Sequence, residues 1–406
     1  MIPQSLNDQL TRIGPQTSAG KVLRQYWQPA ALVDELDGDK LLPVNLMGER
    51  LALCRGSNGE LHLVTRQSNP DERPTFHPEQ VIVDESGPTY PIVEKRGIFF
   101  AFMGEGAPPA FPNFDCFRAP DTHVFAFKGL WECNWMQALE IGIDPAHASF
   151  LHRFLEDEDP DDSYGKQFRD KAAHTNMPMT QILREYPRPE LKVDETDYGL
   201  KITALRHMEN ELTHVRVTNA IFPEAICIPM SREMTITQWH VPVDDENCYW
   251  YTMFTSFDTP VNKELMREQR LAEHTLPEYA PIKNKSNDYH YDPDEQRNVT
   301  YTGMGLDINV HDQWAVEMMG SIQDRTREHL GRSDVAIIRH RRMLRQAIAA
   351  VEAGELDALP MQQVDASMVV GPLSNDAVAS TDNWQNASWE QDMERRAACS
   401  WDASVS

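Results

Sequence analysis

At 406 residues the chain is long enough for one large domain with a small one beside it. A formal charge of -25, from 38 Lys and Arg against 63 Asp and Glu, argues against nucleic acid or an anionic membrane as partner, since both need a basic face. The six cysteines, at positions 54, 116, 133, 227, 248 and 399, form no C-x-x-C pair, so reduced buried thiols are expected rather than disulfides or a zinc site. The opening Met1-Ile-Pro-Gln-Ser-Leu-Asn-Asp8 has no basic or apolar leader and no apolar run reaches about 18 residues, so a cytoplasmic protein without membrane spans is expected.

In chain order, residues 42–65 and 90–103 alternate or run apolar and predict short strands of an N-terminal β module. The Pro-rich Ala107-Pro-Pro-Ala-Phe-Pro112 reads as a linker. A helical segment then leads to Asp144-Pro-Ala-His-Ala-Ser-Phe-Leu-His152, followed by the acidic run Glu156-Asp-Glu-Asp-Pro-Asp-Asp162, read as a solvated loop within an ill-defined stretch near 155–190. Residues 198–206, 213–218, 234–243 and 248–253 predict an antiparallel meander. A long helix is predicted from a Ser333 cap to about Gly354, with Ala336, Ile337, Met343, Leu344 and Ile348 on its apolar face and Arg339-His-Arg-Arg342 on a solvated or inter-subunit face. After about Asp365 the chain is a polar tail with isolated Trp384, Trp389 and Trp401, expected to pack on the body or on a partner.

The residues that carry chemistry are His147 and His152. Two imidazoles with one carboxylate and open positions form the facial triad that suits ferrous iron and O2. Five residues on a straight helix turn about 140° around the axis, so the helix must bend or end near His152 for both rings to meet one metal. Asp144 and Pro145 predict a new helix opening just before the pair, as N-cap and first residue. A third ligand fits at Asp312, in a helix that Asn309 can cap and Gly320 can stop. Taken alone, an Asp in a first turn ordinarily serves the helix dipole, and paired histidines are ordinarily core residues.

Several segments together change that weighting. Gly20-Lys-Val-Leu-Arg-Gln-Tyr-Trp-Gln-Pro-Ala30, Tyr90 to Gly104, Trp131 to Glu140, Arg216 to Pro223, Trp239 to Asp245 and Gly320 to Asp334 resemble the oxygenase subunit of Rieske non-heme iron ring-hydroxylating oxygenases, of the phthalate dioxygenase and aryl O-demethylase type. The resemblance covers most of residues 1–350. It implies an α+β fold: a reduced, Rieske-like N-terminal β module over residues 1–106, a helix-grip mononuclear iron domain with an antiparallel sheet over 107–364, and a polar tail over 365–406. It further implies that His147, His152 and Asp312 ligate Fe(2+), and that Asp144 bridges the iron to the Rieske cluster of a neighbouring subunit in a head-to-tail trimer. His311 stands where the family places Gln.

One departure is larger. Between Thr65 and Tyr90 the family carries a Cys-x-His and a Cys-x-x-His pair for a [2Fe-2S] cluster, whereas Arg66 to Thr89 contains no cysteine, and His77 reads as a surface loop residue. The cluster is therefore expected on a partner: a homologous oxygenase subunit fed by a reductase or ferredoxin, in a trimer or hetero-hexamer. Hydroxylation or O-demethylation of a small aromatic substrate with O2 is the implied reaction; the other reading is a non-catalytic subunit that holds or regulates such a partner. Arg206, His207, Arg216, Asn219, Arg232 and His240 are candidates for the cavity between sheet and iron.

Overall fold

A computed structural model describes residues 1–38, 40–56, 59–69, 71–78, 80–155, 174–230, 232–399 and 401. The acidic run at 156–162 lies outside them. The N-terminal strands are β1 (Trp27–Leu32), β2 (Leu42–Leu46), β3 (Glu49–Arg55), β4 (Leu61–Thr65), β5 (Thr89–Tyr90), β6 (Ile92–Lys95) and β7 (Ile98–Phe102). They divide into two sheets, β2-β3-β4-β5 and β1-β7-β6. Phe100 of β7 meets Trp239 edge-on at 5.7 Å, so this module shares one apolar core with the larger C-terminal sheet.

That main sheet is antiparallel, in the order β8 (Val124–Trp131), β14 (Cys248–Ser256), β13 (Met234–Pro242), β12 (Ala225–Pro229), β11 (Leu212–Ile221), β10 (Gly199–His207) and β9 (Glu190–Thr196). Helices and antiparallel sheets together make an α+β protein, as expected. The predicted meander is present, extended by β9 and by β12, a short strand between Pro223 and Pro229. Part of the polar tail also enters it: β15 (Asp376–Ser380) pairs with β11, and a helix follows over Trp384–Ala398. Trp401 packs on Phe257 at 5.1 Å, whereas Trp389 stays exposed.

The sheet packs through β12, β13 and β14 on α1 (Trp135–Gly142), which is capped by Asn134, whose Oδ1 accepts from Met136 N at 3.1 Å. Trp135, Met136, Ala138 and Leu139 are fully buried, so α1 is a core helix rather than an amphipathic surface one. Its Glu140 accepts from Arg325 Nη2 at 2.8 Å and from Arg341 Nε at 2.6 Å. That pairing corrects the reading of the basic cluster: Arg341 and His340 are buried, and only Arg339 and Arg342 are exposed. The long helix itself, Val335–Ala353, ends at left-handed Gly354 as expected, but begins after a turn over Arg332–Asp334 rather than at a Ser333 cap.

Segment 66–88 forms an excursion between paired β4 and β5. Arg66, 3% exposed, donates to Asn45 Oδ1 at 3.0 Å and to Glu72 Oε2 at 3.1 Å, while Asn45 Nδ2 donates to the Pro74 carbonyl at 2.6 Å. A buried polar clip thus holds this loop. His77 is partly buried rather than a freely exposed loop residue, and desolvation beside Lys128 and Arg66 pushes its pKa down to about 3.

Candidate metal centre

After α1 the chain turns at Asp144, whose Oδ1 accepts from Ala146 N at 2.9 Å. A single helical turn comes next, α2 (Ala148–Leu151), with His147 at its N-terminal boundary and His152 at its C-terminal one. The predicted break is present, and the helix is shorter than the opening turns anticipated. His147 Nε2 and His152 Nε2 come to 3.2 Å from one another because each ring leaves from one end of that turn. The carboxylate arrives from α3 (Ile308–Glu317), capped by Asp307 rather than Asn309, since Asp307 Oδ1 accepts from Asn309 N at 3.0 Å. Asp312 Oδ1 lies 3.2 Å from His152 Nε2 and 3.5 Å from His147 Nε2.

Hydrogen bonds around this trio fix which ring nitrogens carry protons. A carbonyl only accepts, so His147 Nδ1 donates to the Asp144 carbonyl and its Nε2 keeps a lone pair. His311 Nε2 donates to the Gly305 carbonyl at 2.9 Å, which leaves His311 Nδ1 as an acceptor. That acceptor sits 3.5 Å from His152 Nδ1, which must then be the protonated nitrogen. Two imidazole lone pairs and a carboxylate oxygen therefore face one point. Asp312 Oδ1 is buried and takes no hydrogen bond among the described residues, an arrangement that is costly without a cation and suited to one. Desolvation pushes Asp312 up to about 6 and holds His147 below the usual imidazole range, the state in which it ligates. Among the described residues this is the one group of three or more His, Cys, Asp or Glu whose ligand atoms lie within 4.8 Å of one another. The trio fits a divalent metal with open positions.

A cavity of ≈ 170 Å³ opens beside the trio between α1, α2, α3 and the concave face of the sheet. Its wall is mainly apolar, including Trp131, Ile226, Ile236 and Phe254, with Thr218, Gln238 and His240 among the polar members. Burial pushes His240 down to about 4, and its Nδ1 donates to the Glu224 carbonyl at 3.4 Å, so its Nε2 is an acceptor. Arg216 also lines the cavity, tied to Asp376 and to the Pro229 carbonyl. The other sequence candidates lie elsewhere. His207 and Arg232 are exposed, Asn219 bonds Tyr198 and the Leu373 carbonyl, and Arg206 is buried behind the turn that bears His147. Met179, Thr180 and Leu183 of the helix Met179–Glu185 line the cavity and had no sequence signal, because their role depends on where that helix packs.

Residues 101–399 match the family described as LigXa C-terminal domain like. The chain belongs to that family. Beyond this LigXa-type match, the chain is 28% identical over 404 residues to the phthalate 4,5-dioxygenase oxygenase subunit of Pseudomonas putida, covering 87% of this chain and 88% of that one. It is 25% identical over 396 residues to the 5,5'-dehydrodivanillate O-demethylase oxygenase subunit of Sphingobium sp. (strain NBRC 103272 / SYK-6), covering 87% and 82%. Among solved structures, dicamba monooxygenase bound to dicamba shares the fold at a TM-score of 0.50 and 14% identity, over 82% of this chain and 99% of that one. Among the described residues, no helix of this LigXa-type chain is long and apolar enough to cross a membrane.

Proposed function

We propose that this chain is the mononuclear iron component of an oxygenase that hydroxylates or O-demethylates a small aromatic substrate. The observation that carries this reading is the convergence of His147 Nε2, His152 Nε2 and Asp312 Oδ1 on one point beside an apolar cavity. Its relatives are named as oxygenase subunits of a dioxygenase and an O-demethylase. Ferrous iron held there would supply O2 activation. The chain's own residues do the rest. His311 and Asp144 hold the two imidazoles in their ligating tautomers. The apolar wall seats a ring and excludes water, and His240 Nε2 offers an acceptor for a substrate hydroxyl.

The electrons come from a partner in this reading. Arg66 to Thr89 has no cysteine, and Arg66 ties this segment to Asn45 and Glu72 by side-chain hydrogen bonds. We therefore place the [2Fe-2S] cluster on a homologous subunit, itself served by a reductase or ferredoxin, with Asp144 at the contact. The intact trio favours this over a purely structural subunit. The test is O2 consumption by the iron-loaded chain, alone and mixed with a cluster-bearing homologue. Consumption only in the mixture is expected, and Asp144→Asn should slow it while leaving iron bound. Equal turnover by the chain alone would remove the need for borrowed electrons.

A further inference from the structure

Strands β12 and β13 separate two cavities. Ile226 pairs with Gln238, and both face the metal-side cavity, whereas the adjacent pair Ala225 and Trp239 turns to the other face of the sheet. There they help line a second cavity of ≈ 150 Å³, with Tyr26, Trp27, Phe222 and Glu224 also in its wall. Exposed Ala110 and Asp365 lie at its rim. The polar ends of two wall residues are already used: Tyr26 OH donates to the Pro360 carbonyl at 2.9 Å, and Trp27 Nε1 to the Pro109 carbonyl at 3.0 Å. They present aromatic surface to the cavity's space.

Glu224 differs. It is 2% exposed; Gln28 hydrogen-bonds its carboxyl, while Oε2 finds no partner among the described residues. Burial pushes its carboxyl up to about 8, so at neutral pH it is mostly an uncharged acid that can both donate and accept. An unpaired buried polar atom calls for an explanation, and an apolar cavity of about 150 Å³ is large enough to hold benzene. Among the described residues no lysine, arginine or histidine lines this cavity, which disfavours an anionic guest.

We propose that this cavity is a second ligand site, taking a small uncharged aromatic with one hydroxyl, its ring among Trp27, Phe222 and Trp239 and its hydroxyl on the Glu224 carboxyl. The site is independent of the metal. It is nevertheless coupled to the metal side, because the Glu224 carbonyl accepts from both His240 N at 2.9 Å and His240 Nδ1 at 3.4 Å. A guest that shifts Glu224 shifts His240.

The experiment is a fluorine NMR titration of the full-length chain with 4-fluorophenol, and with 4-fluorobenzoate as the anionic counterpart. Millimolar or tighter binding of the phenol is expected, with the benzoate weaker by about tenfold or more. Ala110→Trp, at the exposed rim, and Glu224→Leu should each weaken the phenol by about tenfold. Met230→Trp, which narrows the metal-side cavity instead, should remove only phenol seated beside His240 and leave unchanged the binding that Ala110→Trp weakens. Absence of phenol binding overturns the proposal, as do equal binding of the benzoate, full binding in Ala110→Trp, or loss confined to Met230→Trp.

Discussion

His311 Nδ1 lies 3.5 Å from His152 Nδ1, with His311 held in place by its Nε2–H bond to the Gly305 carbonyl. The relay turns the His152 lone pair toward His147 and Asp312. Outer-sphere partners of metal-bound histidines are typically worth about 10–100-fold in metal affinity. His311→Leu should therefore weaken Fe(2+) binding by that order, measured by chelator competition, while His311→Gln, which keeps an acceptor, should recover much of it. Equal affinity in wild type and His311→Leu would show that the tautomer is set some other way.

Arg206 clips the same turn from behind. Its Nη2 donates to the Pro145 carbonyl and to Ser149 Oγ, both at 3.1 Å, with His147 between them. Arg206→Lys keeps the charge but loses the planar guanidinium whose Nη2 reaches both partners. We expect it to weaken metal binding by about tenfold and to alter the visible spectrum of the Co(2+)-substituted chain, with Ser149→Ala a milder version of the same change. Folded variants with wild-type spectra and affinities contradict the positioning role.

Glu140 is 5% exposed and binds two arginines, of which Arg325 is fully buried. Glu140→Ala leaves buried Arg325 without its carboxylate, while Arg341 keeps Glu328 at 2.6 Å, a loss of about 3–5 kcal/mol for a buried pair broken on one side. The readout is the denaturation midpoint, and a change under about 1 kcal/mol would mean that the arginines repartner.

The Glu224 carboxyl, raised to about 8 by burial with Gln28 and Tyr26 facing it, binds its proton more tightly in the folded than in the unfolded chain. Its contribution to stability is complete below the unfolded value of about 4.3 and declines as pH rises toward about 8. Glu224→Gln removes that decline. The melting temperature of the variant relative to wild type should therefore climb between about pH 5 and about pH 8, and a constant difference would refute the assignment.

Much of this was legible in the sequence because the signals are local. Asp144-Pro145 announces a chain break and the five-residue spacing a bend or end near His152, whereas the single turn between the histidines was not legible. Alternation gave β10, β11, β13 and β14. What escaped depends on tertiary placement. β15, a five-residue Asp-Ala-Val-Ala-Ser inside the polar tail, is a strand because β11 has an edge to pair, and His340 and Arg341 are buried because Glu140 and the Pro223 carbonyl face them. The cap of the Asp312 helix illustrates a smaller miss: Asp307 and Asn309 are both good caps, and only the backbone position decides between them. His311 looked like a departure beside the ligand; its role appears only once Gly305 and His152 are brought to its two nitrogens.

Everything proposed for this chain depends on iron held by the trio with the cluster carried elsewhere. Iron and acid-labile sulfide on the purified chain, with His147→Ala alongside, test it most directly. Stoichiometric iron without sulfide is expected, with loss of that iron in His147→Ala. Sulfide in proportion to iron, or full iron occupancy in His147→Ala, would contradict it.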